Sequence, residues 1–217
     1  MSEEARLRED LCSLGARLVA LGLTHGSTGN LSARLPDGSL LVSPTGARMG
    51  ALDPARLAHL GAEGVHLAGD KPTKEVPLHT AFYDTRAKAT GAVVHLHSCH
   101  AVALSMLPDV DLDNALPPLT PYGIMQLGKV KILPYFRPGD PAMGEAVRRL
   151  AGKRSAVILA NHGPVVAGRD LEAAANAMEE LEASARLALL TRGMGVRALS
   201  DAQINDLVET YDVEWGD

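Results

Sequence analysis

The chain has 217 residues, of which 46% are hydrophobic and 22% charged, and this balance excludes a disordered protein. Its length predicts one folded domain spanning 1–217. With 26 acidic and 21 basic residues the net charge is −5, which argues against a nucleic-acid partner. The charged first ten residues do not resemble a secretory signal, and no apolar run approaches membrane-spanning length. Two cysteines are too few for a disulfide framework. We therefore expect a cytoplasmic protein with no membrane partner.

Hydrophobic periodicity and turn residues predict a mixture of helices and strands. The first half is predicted to contain, in chain order, a helix at 4–22, strands at 31–35, 39–43 and 65–67, a helix at 77–88 and a strand at 92–96. The second half is predicted to contain an irregular proline-rich segment at 107–128, a strand at 131–134, a helix at 141–150, strands at 156–160 and 165–167, and helices at 170–192 and 200–211. This mixture, without strict βαβ repetition, predicts a three-layer α/β/α fold with a mixed sheet.

Three histidines form a candidate metal site. His95 and His97 are two residues apart on an apolar predicted strand, so their rings point to the same side. His162 follows a second apolar strand. A single histidine would more often be an ordinary core or surface residue, but the pair together with a third favours metal binding. Three imidazoles leave one position open on zinc, as in a catalytic site, and they also accept Mn²⁺, Co²⁺ or Fe²⁺.

Other polar residues are weaker candidates. Glu75 precedes a predicted helix, where a carboxylate often stabilises the first turn, but beside a metal it becomes a candidate fourth ligand or general acid/base. His100 is expected to cap a helix or support the site. The remaining histidines have no partner pattern and are assigned no role: His25, His59, His66 and His79.

Two loops of small, donor-bearing residues are candidate anion sites. They have the sequences GSTGN at 26–30 and SPTG at 43–46. Backbone N–H groups and hydroxyls in such loops can bind a phosphate, although ordinary turns use the same residues. Neither loop matches a Walker or dinucleotide fingerprint, so each is a weak signal by itself.

These segments, in this order, resemble the class II aldolase/adducin family. The resemblance rests on GSTGNLS at 26–32, SPTG at 43–46, Lys74-Glu75, VVHLH at 93–97 and Asn161-His162-Gly163. It implies a three-layer α/β/α fold with a central mixed, largely antiparallel sheet, and a homotetramer with sites at subunit interfaces.

The resemblance also implies roles for individual residues. His95, His97 and His162 match the metal ligands, and Glu75 matches the carboxylate that ligates the metal or moves protons. The implied substrate-phosphate pocket comprises Ser27, Asn30, Thr45, Gly46, Thr73 and Lys74.

Within the family, five stretches are most similar to decarboxylases of phosphorylated four-carbon keto sugar acids. These stretches lie at 71–75, 95–98, 119–122, 134–141 and 161–172. The implied reaction passes through a metal-stabilised enediolate, with Glu75 or Tyr122 as the proton donor. Tyr211 is an alternative tyrosine, and Arg137 is a further candidate to meet an anionic substrate.

Two other classes of function stay open from the sequence: another enzyme of the family, including a dehydratase of methylthioribulose phosphate, and an interaction module. Sugar-phosphate aldolases and 4-epimerases of the family use the same metal site, but the aldolases often have a small hydroxyl residue where this chain has Lys74. A non-catalytic adducin-like interaction module is the other alternative. Such a module is expected to have lost metal ligands, whereas His95, His97, His162 and Glu75 are all present.

Overall fold

A computed structural model describes residues 2–215, so Met1, Gly216 and Asp217 lie outside the described part. The described residues form one sheet flanked by helices. The strands are β1 (Asn30–Arg34), β2 (Leu40–Val42), β3 (Ala58–Leu60), β4 (His66–Ala68), β5 (Ala92–His95), β6 (Lys131–Leu133), β7 (Ala156–Leu159) and β8 (Gly163–Gly168). The α-helices are α1 (Glu3–Ala20), α2 (Val76–Thr85), α3 (Cys99–Ser105), α4 (Pro121–Leu127), α5 (Ala142–Arg148), α6 (Leu171–Leu190) and α7 (Asp201–Tyr211). Short 3-10 helices lie at Met49–Ala51 and Pro54–Arg56.

The sheet is mixed and largely antiparallel, as predicted. Its strand order is β4-β3-β2-β1-β5-β8-β7-β6, and only β6 and β7 run parallel among the described strands. β1, β5 and β8 lie in the middle, where Asn30 pairs with His95 and His95 pairs with Val165. The end of β5 therefore meets the beginnings of β1 and β8.

Helices cover both faces of the sheet, which confirms the predicted three layers. Successive strand residues point to opposite faces, so Val94 packs on one side of β5 and Val93 on the other. The core on the Val94 side includes residues of α1, α3, α4 and α6. The core on the Val93 side includes residues of α2 and α5. His95 follows the alternation and faces the α2 side.

The structure differs from the sequence prediction at 107–128 and at β3. The segment at 107–128 is not irregular to its end, because Pro121 begins α4 at a position where a missing N–H is tolerated and the Thr120 hydroxyl accepts the Gly123 N–H. The strand β3 was not predicted, because three residues are too few to show a period. It exists because it pairs with β2 and β4.

Cys12 and Cys99 are both free thiols. Across residues 2–215, no helix combines the length and apolar character that a membrane crossing requires.

Candidate metal centre

Three imidazole rings from two parts of the chain converge at the end of β5. His95 is the last residue of β5, His97 lies two residues beyond, and His162 lies in the turn between β7 and β8. The ring centroids are 5.2 Å apart for His95 and His97, 4.9 Å for His95 and His162, and 4.7 Å for His97 and His162. One nitrogen from each ring lies within 4.8 Å of the other two. These distances suit three ligands of one ion.

Two of the three rings, those of His95 and His162, have ring nitrogens without a hydrogen-bond partner within residues 2–215. His95 Nδ1–H donates to the Pro164 carbonyl oxygen at 2.9 Å, so its Nε2 carries the lone pair. His95 Nε2 and both nitrogens of His162 are buried without a hydrogen-bond partner among the described residues. Burial is the largest cause that lowers the pKa of His95 and His97 to about 4, so both are neutral at neutral pH. A neutral imidazole whose second nitrogen is held by a backbone carbonyl, as in His95, is suited to bind a divalent metal.

Glu75 adds a carboxylate to the same cluster. Its side-chain oxygens lie 3.4 Å from His95 Nε2 and 3.6 Å from His162 Nε2. Burial acts to raise the pKa of Glu75, but the nearby His95 and the hydrogen bond from Asn30 outweigh it and hold this pKa below its ordinary value. The carboxyl group is therefore ionised at neutral pH. Three nitrogens and a carboxylate form a donor set suited to zinc.

Two glycines allow the strands to approach closely at this centre. A β-carbon at Gly163, where φ is +154°, would lie 2.1 Å from the Leu96 carbonyl oxygen. A β-carbon at Gly29, where φ is +80°, would lie 2.7 Å from the His95 carbonyl oxygen. Both positions therefore require a residue without a side chain. The absence of side chains at Gly29 and Gly163 lets the 26–30 loop and the turn that carries His162 lie close to the end of β5.

The second candidate anion loop is tied to the segment that leads to Glu75. The Thr73 N–H donates to the Ser43 carbonyl at 3.1 Å, and the Thr45 N–H donates to the Lys71 carbonyl at 2.9 Å. The Glu75 N–H donates to the Thr73 hydroxyl at 3.3 Å. These bonds join the 43–46 loop to the residue beside the histidines. Of the predicted phosphate residues, Thr73 is buried, whereas the others outside β1 are exposed: Ser27, Thr45, Gly46 and Lys74.

Lys74 lies beside the cluster. Its aliphatic stem packs against Gly139 in the loop between β6 and α5, because a β-carbon there would come within 2.9 Å of Lys74 Cδ. Burial and then the Lys74 charge lower the pKa of His162 against the opposing effect of Glu75. Arg137 is exposed in the same loop as Gly139.

Other predicted site residues are not brought to the histidines within this chain. Tyr122 lies on α4 with 59% of its surface exposed, and Tyr211 lies on α7 with 55% exposed. His100 lies in the first turn of α3, where its ring donates to Glu182 of α6 at 2.7 Å. Glu182 also accepts the backbone N–H groups of His100 and Ala101, so this contact caps α3.

Sequence reasoning missed the residues behind Glu75. Asn30 was predicted to bind phosphate, but its amide nitrogen donates to Glu75 at 2.7 Å and its oxygen contacts His79. His79 also contacts the Ser32 hydroxyl at 2.7 Å, and Ser32 contacts the Tyr83 hydroxyl at 2.9 Å. The sequence signal for these residues is their spacing. Glu75, His79 and Tyr83 are four residues apart, as on one face of a helix, and Asn30 and Ser32 are two apart, as on one face of a strand. The two segments are far apart in sequence.

Known proteins are similar to this chain in sequence and fold. The profile described as Class II Aldolase and Adducin N-terminal domain matches residues 9–189. An Escherichia coli K12 protein named 3-oxo-tetronate 4-phosphate decarboxylase is 45% identical over 204 residues, which cover 94% of this chain and 96% of that protein. The L-fuculose phosphate aldolase of the same strain is 31% identical over 213 residues, which cover 96% and 95%. The crystal structure of YgbL from Escherichia coli superposes with a TM-score of 0.92 and 44% identity, covering 95% of this chain and 99% of that one.

Proposed function

This chain belongs to the class II aldolase and adducin family, and from that premise we propose that it is a metal-dependent carboxy-lyase. The proposed reaction converts a 3-oxo-tetronate 4-phosphate to dihydroxyacetone phosphate and CO₂. The relative named as this decarboxylase is 45% identical, compared with 31% for the relative named as an aldolase. The observation that carries the proposal is the cluster of three imidazoles around a buried carboxylate, in which His95 and His162 have buried nitrogens without a hydrogen-bond partner in the described part of the chain.

We propose that His95, His97 and His162 hold the metal, with Glu75 as a further ligand in the resting enzyme. Zinc fits this donor set, and Mn²⁺, Co²⁺ or Fe²⁺ are the alternatives. When bound, the metal supplies a Lewis acid that stabilises negative charge developing on the C3 oxygen of the substrate.

Glu75 is the proposed proton carrier. Cleavage of the C1–C2 bond releases CO₂ and leaves the electron pair in an enediolate of dihydroxyacetone phosphate. That species needs one proton on C2 to become the product. Glu75 is ionised in the resting site, so it takes a proton from water before it delivers this proton to C2. A Tyr122 hydroxyl from a neighbouring subunit is the alternative donor.

The loops around Glu75 are proposed to hold the substrate phosphate. Ser27, Thr45 and Gly46 are exposed at loop tips, and Thr73 links the second loop to Glu75. Binding the phosphate away from the reacting carbon orients the C1–C2 bond, which lowers the entropic part of the barrier. Lys74 adds a positive charge beside the cluster, so it can meet the phosphate or the carboxylate of the substrate. Asn30 is less available for phosphate, because both ends of its amide already have protein partners.

The proposed assembly is a homotetramer with sites at subunit interfaces. Tyr122 is far more exposed than a packed tyrosine, which is what a residue serving a neighbouring subunit requires. Light scattering coupled to size exclusion would measure the mass of the assembly. A Tyr122→Phe variant would then show whether this hydroxyl affects turnover.

The decisive experiment is a coupled assay on one purified sample. The sample would receive 3-oxo-tetronate 4-phosphate or fuculose 1-phosphate, with and without a chelator, and both dihydroxyacetone phosphate and CO₂ would be measured. Chelator-sensitive release of both products from the keto acid alone is the expected result. Aldehyde release from fuculose 1-phosphate, without CO₂ from the keto acid, would instead establish an aldolase. A protein that retains no metal after gentle purification would indicate a non-catalytic module.

A further inference from the structure

Five buried polar side chains form one line between β1 and α2. Glu75, His79 and Tyr83 are four residues apart, so they lie on one face of α2 and its first turn, while Asn30 and Ser32 alternate on β1 and share one face. The two sets interdigitate in the order Glu75, Asn30, His79, Ser32, Tyr83. Each of the five is at most 6% exposed. This line of five residues is termed the polar zipper.

The chemistry of each group fixes the direction of the first two hydrogen bonds. The amide nitrogen of Asn30 faces Glu75 and donates to its side-chain oxygen at 2.7 Å. The amide oxygen of Asn30 then faces His79 Nε2. This oxygen can only accept, so His79 Nε2 must carry a proton.

The directions of the remaining hydrogen bonds follow from the protonation state of His79. The ring is fully buried, which favours its neutral form, so Nδ1 has a free lone pair. The Ser32 hydroxyl therefore donates to Nδ1 at 2.7 Å, and Ser32 in turn accepts from the Tyr83 hydroxyl at 2.9 Å. Every donor in the polar zipper points towards Glu75.

We propose that His79 is a positioning residue that locks the Asn30 amide, and through it the Glu75 carboxylate, in the orientation needed for proton transfer to the substrate. This inference rests on the proposed function. In the other neutral tautomer His79 Nε2 would accept, and the Asn30 amide would turn its oxygen towards the carboxylate and repel it. The Ser32 hydroxyl excludes that tautomer because it donates to Nδ1, and the Tyr83 hydroxyl keeps Ser32 in this orientation by donating to it.

The tautomer of His79 can be tested without any assay of activity. Side-chain ¹⁵N NMR of the full-length, zinc-loaded protein distinguishes the Nε2–H from the Nδ1–H form of a neutral imidazole, and the His79 signal is assigned by its loss in His79→Gln. The expected result is the Nε2–H form at neutral pH. An Nδ1–H or a doubly protonated ring would overturn the proposal.

Two substitutions at His79 separate positioning from packing. His79→Leu removes the donor, and we expect kcat to fall about 10- to 100-fold, with KM changed less than about twofold and full metal content, because the carboxylate is misplaced and not lost. The amide nitrogen of His79→Gln can donate to Asn30 from nearly the same place, so we expect activity within about tenfold of wild type. Equal losses in both variants, or losses that only follow thermal stability, would overturn the proposal.

The control is His59→Leu on β3, which also removes a histidine hydrogen-bonded to a serine, Ser39, at 3.0 Å, but outside the polar zipper. We expect this variant to keep the wild-type kcat. If His79→Leu does not fold, Ser32→Ala keeps the ring and removes only the group that fixes its tautomer. Ser32→Ala should lower kcat several-fold and yield a mixture of tautomers, and a single Nε2–H form with the wild-type kcat would overturn the proposal. Absence of CO₂ release from the wild type would refute the proposed function, whereas the direction of the polar zipper is decided by NMR.

Discussion

Gly163→Ala is expected to open the metal centre without removing a ligand. The new β-carbon would lie 2.1 Å from the Leu96 carbonyl oxygen, and such contacts are essentially never below 3.0 Å in proteins. The start of β8 and the end of β5 must therefore separate by about 1 Å, which moves His162 away from His95 and His97. Metal sites tolerate about 0.2 Å in ligand distance, and a 1 Å misplacement of reacting groups costs about 100-fold in rate.

We therefore expect zinc affinity to fall at least about tenfold and kcat/KM about 100-fold in Gly163→Ala. Competition with a fluorescent chelator measures the affinity, and the coupled CO₂ assay measures the rate. Gly168→Ala is the matched control, because its β-carbon would lie 2.3 Å from the Ala174 backbone nitrogen at the far end of the same strand. It should lower the melting temperature but keep wild-type zinc affinity. Equal zinc affinity in both variants would refute the reasoning.

Four further outcomes are expected. Glu75→Gln keeps the shape of the side chain but cannot carry the proton, so turnover should fall about 10²- to 10⁴-fold with zinc still bound; retained dihydroxyacetone phosphate production would remove Glu75 from proton transfer. His95→Ala should lose both zinc and activity, and a fully active variant with a full complement of metal would contradict its assignment as a ligand. The pKa values of His95 and His97 are lowered from 6.5 to about 4, so the unfolded chain binds protons first as pH falls. Stability of the metal-free protein should thus be lost progressively from about pH 6.5 towards pH 4, and a melting temperature independent of pH in this window would contradict the burial of neutral rings. Lys74→Ser should raise KM for the keto acid at least about tenfold through loss of a charge-assisted contact, whereas an unchanged KM would exclude Lys74 from substrate binding.

The histidine cluster could be predicted because its signals are local. The spacing of His95 and His97 predicts that both rings point to one side of an extended segment, and the apolar Ala92–His95 run identifies the strand that leads into it. The position of His162 beside the other two rings is harder to predict, since it depends on the antiparallel pairing of β5 with β8. No local pattern specifies that pairing, so His162 is a candidate only because it follows an apolar strand, and the family resemblance then matches it to a metal ligand.

The polar zipper could not be predicted because its two halves are separated along the chain. Asn30 and Glu75 are 45 residues apart, and Ser32 and Tyr83 are 51 apart. By itself, the β1 half looks like an ordinary strand with polar positions, and the α2 half looks like an ordinary helix that contains a histidine. Only the packing of α2 on the face of β1 brings the halves together. Similarly, the three residues of β3 form a strand only because β2 and β4 lie beside them.

The position of the metal centre in the middle of the sheet has an evolutionary consequence. β1, β5 and β8 each have strand neighbours on both sides, so the proposed metal ligands lie on or next to the part of the fold least free to change. Ser27, Thr45, Gly46 and Lys74 are exposed, and substitutions at exposed positions disturb little packing. New substrates can therefore be acquired by altering these outer residues while the inherited reactive core is kept. This division accounts for relatives with one architecture that are named for breaking different carbon–carbon bonds.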